Sequence, residues 1–260
     1  MSQQANGPTL RHVLPNGMVA LIRRNPGAPT VSVRGEVRVG AAQEPPDQGG
    51  LAVFTGAALI RGAGTRSFQQ IVAETEGRGC SVSAGGGMLS SGFAGKALAE
   101  DLPLVLEILA DMLIRPSFPE VEIERLRSQF LTSLRESEQD TGYRASIAAR
   151  AMLYPPEHPF SRPTSGSLAS VAGISRADML RFHQRYHPAL TTIAIVGAID
   201  PPAVLNELER YFADWQGSGP AEAPQIPDAP PLDGIQRADI PMPGKVQADL
   251  VWAVHGLARS

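Results

Sequence analysis

The sequence has little with which to tie itself to anything else. Its 260 residues contain one cysteine, Cys80, so no disulfide can form within the chain. No apolar run approaches the ~18 residues needed to cross a bilayer, which excludes a membrane-spanning helix. Charge of neither sign dominates: 23 basic against 26 acidic side chains give a net charge of -3, which leaves no broad basic field for nucleic acid or an anionic membrane surface. The stretch from Met1 to Arg11 lacks the charged start and apolar core of a signal peptide, so the expected setting is the cytoplasm, or a longer exported chain of which this is a part. What is present is hydrophobic residue, 43% of the total, enough to bury a sizeable core.

The apolar residues are patterned. Leu10–Leu14 and Met18–Arg23 flank Pro15-Asn16-Gly17, a tight-turn signal, and read as a hairpin. Thr30–Ala42 alternates through Val31, Val33, Val37 and Val39 as a third strand. Gln48–Arg61 is apolar nearly all round, as a buried helix would be. Ser67 can cap a helix over Phe68–Glu76. Cys80–Ala84 and Leu89–Gly95, joined through Gly85-Gly86-Gly87, predict a second hairpin. Helices follow over Leu98–Ile114, Glu120–Glu138, Tyr143–Leu153 and Arg176–Tyr186, then a strand over Leu190–Val196 and a helix over Pro201–Phe212. Hairpins followed by grouped helices predict an α+β fold with a mainly antiparallel sheet covered by helices. Residues 1–216 read as one subdomain. Gly217–Pro231, with five prolines, reads as a linker, and 232–260 as the start of a second similar subdomain, cut short, with one strand over Lys245–Val254.

Ordered landmarks along residues 9–213 resemble the pitrilysin/insulinase-type zinc metallopeptidases, on the branch that includes mitochondrial processing peptidase. They are Leu14-Pro15-Asn16-Gly17 before an apolar strand, Gly50-Leu51-Ala52-Val53-Phe54-Thr55-Gly56-Ala57-Ala58-Leu59, Arg115-Pro116-Ser117-Phe118-Pro119, His158-Pro159-Phe160, Phe182-His183-Gln184-Arg185-Tyr186, and Ala194 to Pro201. The family's active members hold zinc with His-x-x-Glu-His on one helix and a distant glutamate. The two histidines lie one turn apart on one face, and the glutamate between them takes the proton of the zinc-bound water. Carried over residue by residue, the first histidine falls on Val53, the base on Gly56 and the second histidine on Ala57. The distant glutamate falls on Ser133, and a supporting glutamate seven residues earlier on Leu126. Valine, glycine, alanine and leucine donate nothing to a metal, so the expectation is a half-domain with no catalytic residues and no cofactor of its own, although its active relatives carry zinc.

The resemblance implies a clamshell in which an inactive half closes with an active zinc-peptidase half or subunit around a peptide; self-association is the other expected partnership. Relatives bind extended substrate on an edge strand, a role that Ser81–Gly87 or Leu89–Gly95 could take here, with Ser81, Val82, Ser83 and Ala84 as the candidate contacts. Two rival functions stand beside this one: a zinc endopeptidase with displaced ligands, or a fragment of an active one, and a purely structural subunit of a larger complex. The only histidine pair at ligand spacing is His183 with His187, but no glutamate lies between them and Pro188 ends the helix. Gly85-Gly86-Gly87 lacks the lysine and the following helix of a phosphate loop. Cys80 reads as a buried apolar residue, and the charged face of Glu120–Glu138 as a solvated one with short-range pairs.

Overall fold

A computed structural model describes residues 8–256. Six strands form one sheet in the order β1-β2-β8-β3-β7-β6, from β1 (Leu10–Val13), β2 (Val19–Arg24), β3 (Thr30–Val37), β6 (Ser81–Gly86), β7 (Ser91–Leu98) and β8 (Thr191–Gly197). A small hairpin, β4 (Gly62–Ala63) and β5 (Arg66–Ser67), stands apart from it. Pairing is antiparallel except between β2 and β8, which run parallel because the chain passes through every intervening helix before returning beside β2. The Asn-Gly turn forms as expected, with Gly17 at φ 90° and Leu14 bonded to Met18 at 2.9 Å. Asn16 also donates to the carbonyl of Phe212 at 2.7 Å, tying the first turn to the last helix.

The helices are α1 (Leu51–Ala58), α2 (Phe68–Glu76), α3 (Leu102–Ile114), α4 (Glu120–Glu138), α5 (Thr141–Leu153), α6 (Leu168–Gly173), α7 (Arg176–His183) and α8 (Pro201–Phe212). Period-two alternation decides which side of the sheet they cover. Val31, Val33 and Val37 of β3, Phe93 and Ala97 of β7, and Ile193 and Ile195 of β8 are buried on one face, while Ser32, Arg34, Lys96 and Val196 meet solvent on the other. Phe93 lies directly opposite Gly35, and a Cβ at Gly35 would come within 2.1 Å of its ring, so the glycine makes the space the ring fills. Leu106, Ile108 and Leu109 of α3 are fully buried in this core, and Val105 fits against Gly95 of β7.

Two expectations fail. Lys245–Val254 forms no strand; residues 213–256 carry no helix or strand at all. A lone strand has no ladder to join. The segment is instead held by side chains: Gln43 donates to the carbonyl of Glu222 at 3.0 Å, His158 to that of Pro227 at 3.0 Å, Thr141 bonds Asp249, and His255 donates to the carbonyl of Leu153 at 3.1 Å. Val246, Leu250, Trp252 and Val254 stay exposed. The charged face of α4 is also only partly solvated. Glu122 is buried, and Arg127 leaves the surface to donate to the carbonyls of Val171 at 2.5 Å and Ile174 at 2.7 Å, with its guanidinium 5.4 Å over the ring of Phe54. Helix α6, whose carbonyl end it secures, has no counterpart in the apolar pattern of the sequence.

Candidate functional site

Helix α1 begins at Gly50, in the left-handed region at φ 93°, with no side chain to cap it. The cap comes from Glu44, whose two carboxylate oxygens accept from the backbone N–H of Ala52 at 2.6 Å and of Gly50 at 3.1 Å. Burial pushes this carboxyl up to about 7, against the Ala52 and Gly50 bonds and the charge of Arg162, which pull it down. Sequence reading missed Glu44, because its only trace is an absence: a helix entered through Gly49-Gly50 with no Ser, Thr, Asp or Asn at the cap.

Along α1, Leu51, Ala52, Phe54, Thr55, Gly56 and Ala58 are buried, and Val53 and Ala57 are half-buried. Phe54 packs edge-on against Phe130 of α4 at 5.3 Å between ring centres. Leu126 of α4 is buried in the core, and Ser133 is exposed. The structure thus places Val53, Gly56 and Ala57 on one short helix that α4 flanks, but four of the five positions carry no donor atom and Ser133 offers a single neutral hydroxyl. This set does not fit zinc. At position 56 the room is also gone: a Cβ there would lie 2.3 Å from the backbone nitrogen of Gly86 and 2.6 Å from the carbonyl carbon of Gly85. Among the described residues no three His, Cys, Asp or Glu side chains cluster as metal ligands would.

The histidine pair does not converge on a common point. His183 donates to the carbonyl of Leu113 at 2.9 Å and packs between Phe118 and Tyr186; burial pushes its pKa down, with the Leu113 bond opposing. His187 lies beyond the end of α7 and accepts from the N–H of Ala189 at 3.0 Å. Cys80 precedes β6 and is buried; burial first and the charge of Asp101 second push its thiol pKa up, the reverse of a nucleophile.

Strand β6 is the end strand of the sheet, bonded to β7 on one side only. Register puts Ser81 and Ser83 opposite Lys96 and Ala94 on the open face, and Val82 and Ala84 opposite Gly95 and Phe93 on the helix face. Ser81, Val82, Ser83 and Ala84 therefore form a short edge of small side chains beside α1. A groove of about 610 Å³ lies elsewhere, between α2 and α4. Among its charged groups Glu122 meets Arg125 at 2.6 Å, and Arg61 stacks 4.5 Å over Phe68.

Solved structures share this arrangement. The chain superposes on a peptidase M16 inactive domain from Pseudomonas fluorescens with a TM-score of 0.79 at 22% identity, over 86% of this chain and 54% of that one. The first half of the periplasmic protease PqqL from Escherichia coli gives a TM-score of 0.75 at 22% identity, over 86% and 50%. The fold is that of a metallopeptidase half-domain. The chain belongs to the insulinase family, peptidase family M16: that family's model matches residues 19–153, just over half the chain, and the model of the peptidase M16 inactive domain matches 173–260. An uncharacterized zinc protease of Mycobacterium tuberculosis is 26% identical over 203 residues, 78% of this chain and 46% of the relative. The mitochondrial-processing peptidase subunit beta of Neurospora crassa is 24% identical over 214 residues, 82% and 45%. The chain thus spans about half the length of these relatives.

Proposed function

We propose that this chain is a non-catalytic half of an M16-type assembly, which binds extended peptide along β6 and closes on an active zinc-peptidase half or subunit. The observation that carries the reading is a family scaffold kept whole around positions 53, 56, 57 and 133, none of which supplies a charged or imidazole ligand. Without a metal to bring bound water to a pKa near 7, and without a base beside it, the chain lacks the two groups that hydrolysis of a peptide bond in this family requires. Strand addition needs neither: unpaired main-chain groups supply affinity, and side chains such as Ser81 and Ser83 supply selectivity. The rival of a displaced zinc site finds no support in the engagements of His183 and His187 described above.

The test is elemental analysis of the purified chain after brief exposure to zinc, in parallel with a peptide-cleavage assay alone and with an active M16 subunit added. Substoichiometric zinc, no cleavage alone and enhanced cleavage on mixing are the expected results. One zinc per chain with cleavage by the chain itself would overturn the reading.

A further inference from the structure

Gly56 and Gly86 are packed against each other from both sides. A Cβ on Gly56 would meet the nitrogen of Gly86 at 2.3 Å; a Cβ on Gly86 would meet the carbonyl oxygen of Ala52 at 2.1 Å and the nitrogen of Val53 at 2.6 Å. Helix and strand are thus in backbone contact over one turn of α1, closer than any side chain permits. The next residues strengthen the junction: the N–H groups of Ala41 and Ala42, in the segment leading to α1, donate to the carbonyls of Gly87 and Met88 at 2.9 Å each. Gly85, one residue away in the same strand, has nothing within 4 Å of its Cβ position. The close contact belongs to particular glycines and is not a general property of a glycine-rich strand.

We infer that Gly56 is a positioning residue, which with Gly86 interlocks α1 and the edge strand β6, so that the helix resembling the family's metal-binding helix serves here to brace the strand that takes peptide. An unbraced edge strand frays and twists, and its unpaired groups lose alignment. The brace holds β6 straight at the Gly86 end while leaving its outer side free. The peptide part of this inference rests on the function proposed above; the interlock does not.

Alanine substitution gives opposite signs for the two ways of reading Gly56. A glycine inside a helix replaced by alanine ordinarily raises the melting temperature, by about 1–4 °C in a chain of this size. The interlock predicts a fall of about 3–10 °C for Gly56→Ala and for Gly86→Ala, the scale of an overpacked core, and no fall for Gly85→Ala. Hydrogen exchange on the unmodified chain gives a reading that depends on no variant folding. The β7-bonded amides of β6 should be more protected toward Gly86 than toward Ser81, the reverse of an edge strand free at its turn. Affinity for a labelled extended peptide of alternating threonine and valine, measured where each variant is folded, should weaken about tenfold in Gly56→Ala and Gly86→Ala and hold in Gly85→Ala. Unchanged melting and uniform exchange along β6 would overturn the interlock. The expected melting and exchange with unchanged peptide affinity would overturn the positioning role. A parent chain that binds no peptide, with melting and exchange as expected, would sink the proposed function and leave the interlock standing.

Discussion

Replacing Glu44 by glutamine separates two forces acting on one carboxyl. Both oxygens accept backbone N–H at the head of α1, which favours the ionised form; the site is buried, which favours the neutral one. Burial prevails, raising the group from 4.5 to about 7. The folded state then holds this proton more tightly than the unfolded chain does. Stability from Glu44 is therefore complete below pH 4.5 and is lost as pH rises to 7, a change of ~3 kcal/mol. Glu44→Gln removes the titrating proton: its carbonyl can take the Ala52 N–H, but its NH2 faces the Gly50 N–H donor to donor, so that bond is lost at every pH at a cost of about 1–3 kcal/mol. The stability of the glutamine variant relative to the parent should therefore rise by ~3 kcal/mol between pH 4 and pH 8, or by about 6–12 °C in melting temperature, on top of that constant offset. Urea titrations of both chains at a series of pH values measure the gap directly. A gap that opens the other way, with the parent gaining on the variant between pH 4.5 and 7, would show that the two N–H bonds outweigh burial and would refute the reasoning.

Arg127→Met removes the donors that end α6 and should cost about 2–3 kcal/mol in urea unfolding, since the Val171 and Ile174 carbonyls lose charged partners. Arg66 bonds Glu74, Glu107 and the buried Asp111, each at 2.9 Å. Arg66→Met should cost about 3 kcal/mol, and Asp111→Asn in the same chain should return part of it, because the penalty is a buried charge left with Arg115 alone. The exposed Val246, Leu250, Trp252 and Val254 should drive concentration-dependent association, visible by light scattering; Trp252→Ser with Leu250→Ser should suppress it, and an unchanged mass would acquit these residues.

The sequence was readable where a local rule and the tertiary structure agree. Helices α4 and α8 fall at Glu120–Glu138 and Pro201–Phe212 as their apolar spacing and proline starts require, and Asn16-Gly17 makes its hairpin because the turn needs a positive φ at glycine. The end strand β6 was legible too, although its bounds moved from Cys80–Ala84 to Ser81–Gly86 once β7 set the register. What stayed hidden depends on partners that no local periodicity or capping rule points to. Glu44 reaches across a proline loop to cap α1, and Arg127 leaves a charged helix face for carbonyls 44 and 47 residues away. The strand expected over Lys245–Val254 is absent for a related reason: the segment has strand composition, but a strand exists only with a neighbour to pair with. At the candidate site, the loss of space at Gly56 was not legible in the sequence, because it is set by Gly86, thirty residues on.

That loss of space bears on whether the chain could be re-armed. A histidine or glutamate buried beside an absent metal is an unpaired polar group, costly in proportion to its burial, so small apolar residues at 53 and 57 remove a penalty as well as a ligand. Glycine at 56 goes further, because it lets β6 close on the helix where the base would stand. Histidine at 53 and 57 faces a milder obstacle, since both positions are half-buried and open on one side. Val53→His with Ala57→His and Ser133→Glu should therefore fold, and adding Gly56→Glu should lower the melting temperature by about 3–10 °C, whatever the zinc content, because a Cβ at 56 must push α1 and β6 apart. No peptide hydrolysis is expected from the four-fold variant, whose new carboxylate cannot stand in its place without displacing the strand that would hold the peptide. A four-fold variant that melts with the three-fold one and cleaves peptide with zinc would show that position 56 has room for a carboxylate and would refute the steric argument.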